Sequence, residues 1–134
     1  MKKIEHLGIA VKSLTQAVPL YEKLLNTPCY KTEAVESERV NTAFFQTGEA
    51  KVELLESTDP EGVIAKFIEK KGEGLHHVAF EVNDIKAEMD RLKNEGFILL
   101  NEEPKRGADN KLICFLHPKT TQGVLIELCQ EIRE

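Results

Sequence analysis

The chain has 134 residues, with 18 Lys+Arg against 23 Asp+Glu and a formal net charge of −5. That length suits one compact domain, or two small halves fused into one. The mildly acidic balance argues against a dedicated nucleic-acid binder, which needs a basic stripe to release counterions. No run approaches the roughly 20 apolar residues of a membrane span. The opening stretch lacks an apolar signal core, so a cytoplasmic protein is expected. Cys29, Cys114 and Cys129 form no C-x-x-C pair, so neither a zinc knuckle nor a disulfide frame is expected.

Residues 4–11 (IEHLGIAV) alternate as a strand, with Leu7, Ile9 and Val11 on one face and His6, Gly8 and Ala10 on the other. Ser13 caps a predicted helix to about residue 25, with Leu14, Ala17, Leu20, Tyr21, Leu24 and Leu25 as its apolar stripe and Pro19 as an internal kink. Strands are predicted at 29–34, 39–45 and 51–56, the last two split by a turn at Gly48-Glu49-Ala50. Asp59-Pro60-Glu61-Gly62 reads as a turn, 63–70 as a short helix and Lys71-Gly72-Glu73-Gly74 as a linker. A strand at 75–82 (LHHVAFEV) follows. A helix over 85–94 is capped by Asn83 or Asp84 and stopped near Gly96. Strands are predicted at 98–100, 112–116 and 124–128, with loops at 104–110 and 117–123.

The order repeats. IEHLGIAV falls on LHHVAFEV at an offset of 71, and Val52-Glu53-Leu54-Leu55 falls on Ile126-Glu127-Leu128-Cys129 at an offset of 74. A β-α-β-β-β module used twice can bury sheet edges that one copy leaves open. The repeat lands on chemically useful residues: His6 matches His77, and Glu53 matches Glu127. Two imidazoles and two carboxylates suit a divalent ion that keeps open positions, with Co²⁺, Ni²⁺, Zn²⁺ or Mn²⁺ all compatible. The carboxylates stand in apolar strands, where an unpaired charge is costly.

Other candidates are weaker. Glu56 at a strand end is expected to face solvent. His76 reads as core or as support to a ligand. His117 reads as a substrate contact or a turn-shaping residue. Lys105, Arg106, Lys111 and Lys119 read as phosphate contacts or, as expected here, as residues of solvated loops.

HLGIAV, GEGLHHVAFEVNDI and FLHPKTTQGVLIEL resemble the vicinal oxygen chelate (glyoxalase/bleomycin resistance) superfamily. Within it they come closest to the methylmalonyl-CoA epimerases. The resemblance implies an α+β fold in which two βαβββ modules form a U-shaped, cup-like mixed sheet with helices outside. It implies one domain over residues 1–134, with modules at about 1–58 and 75–134 and a connecting helix at 59–74. One divalent ion, held by His6, Glu53, His77 and Glu127, and a homodimer are likewise implied. The implied activity is interconversion of (R)- and (S)-methylmalonyl-CoA by abstraction of the C2 proton, with the ion spreading the enolate charge. Glu127 is assigned one proton transfer. Glu53 takes the other, because Thr42 stands where some epimerases have a carboxylate. The alternatives are glyoxalase I, acting on the glutathione–methylglyoxal hemithioacetal, and a non-catalytic antibiotic-sequestering protein. This chain has His117-Pro118-Lys119 where glyoxalases commonly show an acidic D-P-D-G turn.

Overall fold

The computed structural model describes residues 1–132. Its fold is α+β and contains two βαβββ modules. The first is β1 (Lys3–Ala10), α1 (Leu14–Leu25), β2 (Lys31–Val35), β3 (Val40–Thr47) and β4 (Ala50–Ser57). The second is β5 (Gly74–Glu81), α3 (Ile85–Asn94), β6 (Lys105–Arg106), β7 (Lys111–Leu116) and β8 (Ile126–Glu131), and α2 (Val63–Lys71) lies between them in sequence. The chain divides into two compact units: His6–His76, and His77 onward together with Met1–Glu5. The N-terminal segment is tied to the second unit by the Lys2 amide, which donates to the Glu81 carbonyl at 2.8 Å.

In the first unit the strands run β2-β3-β4-β1, with β4 antiparallel to β3 and parallel to β1. In the second they run β5-β8-β7-β6, with β8 antiparallel to β7 and parallel to β5. The strands of each unit bury one face against that unit's helix. Val11, Ala17, Ala43, Phe45, Val52 and Leu54 form the core beneath α1; Val82, Ile85, Met89, Leu92, Cys114, Leu116 and Leu128 form the one beneath α3. Burial of such side chains stabilises by about 1.5–3 kcal/mol each. The α1 stripe is narrower than the sequence suggests. Leu20 and Leu24 are 61% and 70% exposed, because at 100° per residue they lie well round the helix from Leu14, Val18, Tyr21 and Leu25, which do pack inward. Helix α1 continues through Pro19.

The helix starts are duplicated position for position, with different capping groups. Ser13 accepts a hydrogen bond from the Gln16 amide at 3.4 Å, and Asp84 accepts from the Ala87 amide at 3.1 Å. The first helical amides are also held from β4 and β8: Leu14 N donates to Glu56 at 2.9 Å, and Ile85 N donates to Gln130 at 2.7 Å. Glu56 therefore does not face solvent as its strand-end position suggests; it also accepts from the Asn41 amide group at 3.4 Å. These bonds satisfy amides that a helix terminus otherwise leaves without partners.

The second module differs from expectation in two places. Residues 98–100 make only an isolated bridge, Leu99 to Leu116. Lys105 and Arg106, expected in a loop, pair with Ile113 and Leu112 as β6. The helix before them ends at a glycine in the left-handed region: Gly96 has φ +99°, and the next amide, of Phe97, donates back to Leu92 O at 3.0 Å.

Candidate active site

Strand parity sets the chemistry of each sheet. In the first unit the parallel register places Glu53 beside Gly8, two residues after His6. Glu53 is also opposite Phe44 across the antiparallel pair. Side chains two apart share a face, so His6, Gly8, Phe44 and Glu53 lie on the side away from α1. There His6 Nδ1 stands 2.8 Å from Glu53 Oε2, with both side chains nearly inaccessible to solvent.

The second unit repeats the construction. Glu127 is beside Ala79, two residues after His77, and opposite Phe115. His77 Nε2 stands 3.3 Å from Glu127 Oε1, again with both side chains buried. The Phe115 ring meets the His77 ring edge-on, with centroids 5.8 Å apart, which fixes the imidazole plane. Ala79, Ile113 and Cys129 pack beside it with Phe115. The offset changes from 71 at the histidines to 74 at the glutamates. The longer connection between β7 and β8, which holds the His117–Thr120 turn, absorbs the three extra residues.

Each half thus brings one predicted histidine and one predicted glutamate into contact. A carboxylate buried in an apolar strand is stable only when paired or bound to a cation. The donor set, imidazole nitrogen and carboxylate oxygen, is that of a divalent transition ion.

The remaining candidates sort clearly. Thr42 is fully buried, and its hydroxyl donates to the Glu33 carbonyl at 3.0 Å; it supplies no carboxylate. His76 packs edge-on against Phe67 of α2, with centroids 4.8 Å apart, and burial pushes its pKa from 6.5 down to about 4. His117 shapes a turn, its Nδ1 accepting from the Lys119 amide at 3.0 Å. Lys111 is not in a solvated loop. It opens β7, is 8% exposed, and its ammonium lies 4.0 Å from the buried Glu5 carboxylate. Position 111 follows the polar pair Asp109-Asn110, and that composition hid the strand start.

The family profile of the Glyoxalase/Bleomycin resistance protein/Dioxygenase superfamily matches residues 5–115. The chain belongs to that superfamily. It is 41% identical over 130 residues to the uncharacterized protein YqjC of Bacillus subtilis, covering 97% of this chain and 93% of that one. It is 38% identical over 130 residues to the ethylmalonyl-CoA/methylmalonyl-CoA epimerase of Cereibacter sphaeroides, covering 96% and 97%. Among solved structures, a variant of Streptomyces coelicolor methylmalonyl-CoA epimerase in complex with 2-nitronate-propionyl-CoA superposes with a TM-score of 0.93 at 33% identity, covering 99% of each chain. The chain is an enzyme of the isomerase, specifically epimerase, kind. Among the described residues no helix is long and apolar enough to cross a membrane.

Proposed function

We propose that this superfamily member interconverts the C2 epimers of methylmalonyl-CoA, with His6, Glu53, His77 and Glu127 holding one divalent ion. The observation that carries this reading is the repeated register: in both halves a buried glutamate stands beside the second residue after a histidine, with each pair in contact. Bound there, a divalent ion supplies Lewis-acid stabilisation for negative charge on neighbouring substrate oxygens.

The chain's own residues do the rest. Glu127 takes the C2 proton, and Glu53, its counterpart in the other half, returns one to the opposite face; the roles exchange when the reaction runs backwards. Thr42 leaves this task to the two glutamates, because a hydroxyl is a poor proton acceptor. Phe44 and Phe115, paired across the sheets with these glutamates, exclude water from carboxylates that must accept a proton. The acyl-CoA substrate class is supported by the relatives named above. The two units act as one domain over residues 1–134 and the protein is a homodimer, as in the family resemblance.

The test is solvent-deuterium wash-in at C2 of methylmalonyl-CoA, run beside a glutathione–methylglyoxal assay. Exchange in the first alone supports the epimerase; turnover in the second alone replaces it with a glyoxalase.

A further inference from the structure

The outer rim of the second unit carries two exposed side chains on the face of the His77–Glu127 pair. Leu99 bridges Leu116, which belongs to the core beneath α3, so Leu100 lies on the opposite face, the one that carries Glu127. Its amide donates to Phe115 O at 2.8 Å, which sets Leu100 beside Phe115, the residue opposite Glu127. Leu100 is nevertheless 51% exposed. Lys105 stands further along the same rim. It pairs with Ile113, itself opposite Cys129, two residues after Glu127. Lys105 therefore shares the face of Glu127, on the edge strand of the sheet, and is exposed. The backbone next to it is pinned: a Cβ at Gly107 would stand 2.7 Å from Ile113 Cδ1, and Gly107 N donates to Lys111 O at 3.0 Å.

Outward from Glu127 this face runs from a buried carboxylate to a half-buried aromatic ring, then to an exposed apolar side chain and an exposed cation. Two strand spacings and one two-residue step put the Lys105 backbone about 12 Å from that of Glu127. An acyl-CoA has the same order of parts: the reacting acyl end, an arm with methylene and dimethyl groups, and then the phosphates. The extended arm outreaches that span, and the lysine stem covers the remainder. A solvent-exposed ammonium suits a phosphate that stays partly hydrated, since neither charge has to be buried to make the contact. Arg106 is the next residue but pairs with Leu112, which packs on the α3 core, so it belongs to the other face.

We infer that Lys105 receives a phosphate of the CoA nucleotide, with Phe115 and Leu100 as the surface along which the arm lies, and so selects CoA esters over the same acyl group on a phosphate-free thiol. The inference rests on the acyl-CoA reading above and adds a specificity residue to it. Lys105 acts on binding alone; proton transfer stays with the glutamates.

The test measures C2 exchange by the metal-loaded protein with methylmalonyl-CoA and with methylmalonyl-pantetheine, which keeps the arm and lacks the phosphates. Wild type is expected to favour the CoA ester. Lys105→Ala is expected to lower kcat/KM for the CoA ester about 3- to 10-fold, the range of one net polar contact. The loss is expected in KM, because the contact is remote from the reacting atoms and is made in the ground state and the transition state alike. The pantetheine ester is expected to stay within about twofold. Arg106→Ala removes the same charge from the other face and is expected to leave the preference within about twofold of wild type. If Lys105→Ala keeps the full preference, if Arg106→Ala loses as much of it, or if wild type exchanges both esters equally, the assignment of Lys105 is overturned while the epimerase reading stands. If wild type exchanges neither ester, the epimerase reading itself fails, and the inference falls with it.

Discussion

Glu53 and Glu127 occupy the same place in two copies of one construction: each is the strand neighbour of the second residue after a histidine, Gly8 in one half and Ala79 in the other. The equivalence extends to Phe44 and Phe115 opposite them, and to the amides of Val11 and Val82, which donate to Leu55 O and Cys129 O at 2.9 Å in both cases. The atoms in contact differ, Nδ1 of His6 against Nε2 of His77. The backbone is thus duplicated more faithfully than the imidazole orientations.

Proton transfer by both glutamates predicts that Glu53→Gln and Glu127→Gln each lose C2 exchange, by about 10²–10⁴-fold if the carboxylate is the acid or base. Stopped-flow or NMR exchange rates check this. Full activity in Glu53→Gln alongside an inactive Glu127→Gln would end the two-glutamate scheme.

The paired helix anchors predict matching stability losses. Glu56→Ala removes the acceptor for Leu14 N and Gln130→Ala the one for Ile85 N. Each is expected to lower unfolding free energy by about 1–3 kcal/mol, with the charged acceptor at the upper end. Urea titration with an unchanged slope is the measurement.

The two cores predict larger effects. Phe45 and Leu128 are fully buried, so Phe45→Ala is expected to cost about 3–5 kcal/mol and Leu128→Ala about 2–5 kcal/mol. The same replacement at Leu24, 70% exposed, is expected to change stability by less than about 0.5 kcal/mol.

His76 predicts a pH dependence. Burial against α2 holds its pKa near 4, below the ordinary 6.5, so the folded chain keeps the imidazole neutral while the unfolded chain binds a proton. Its contribution is present above pH 6.5 and is lost as pH falls towards 4. At 1.36 kcal/mol per pKa unit it amounts to at most about 3 kcal/mol. Denaturation in chelator, which removes metal-linked protons from the comparison, is expected to show a shallower acid slope for His76→Phe than for wild type.

Much of this was legible in the residues. The period-two alternation around His6 and His77, the caps Ser13 and Asp84, and the matched glutamates in apolar runs are local signals, and the corresponding elements lie within one or two residues of their expected ends, except β8, which runs three residues past its expected end. What the chain hid was tertiary. Glu56 sits at a strand end and looks solvated until the start of α1 is folded over it. Lys111 looks like one more loop lysine until β7 turns it towards Glu5. Residues 105–106 carry no strand pattern and pair only because β7 offers an edge.

The proposed metal site has His6, Glu53, His77 and Glu127 as ligands to one ion. Elemental analysis of wild type, His6→Ala and His77→Ala, each reloaded with excess divalent metal and desalted, tests it most directly. One ion per chain in wild type, lost from both variants, is the predicted result. Two ions per chain in wild type, or undiminished metal in either variant, would contradict it.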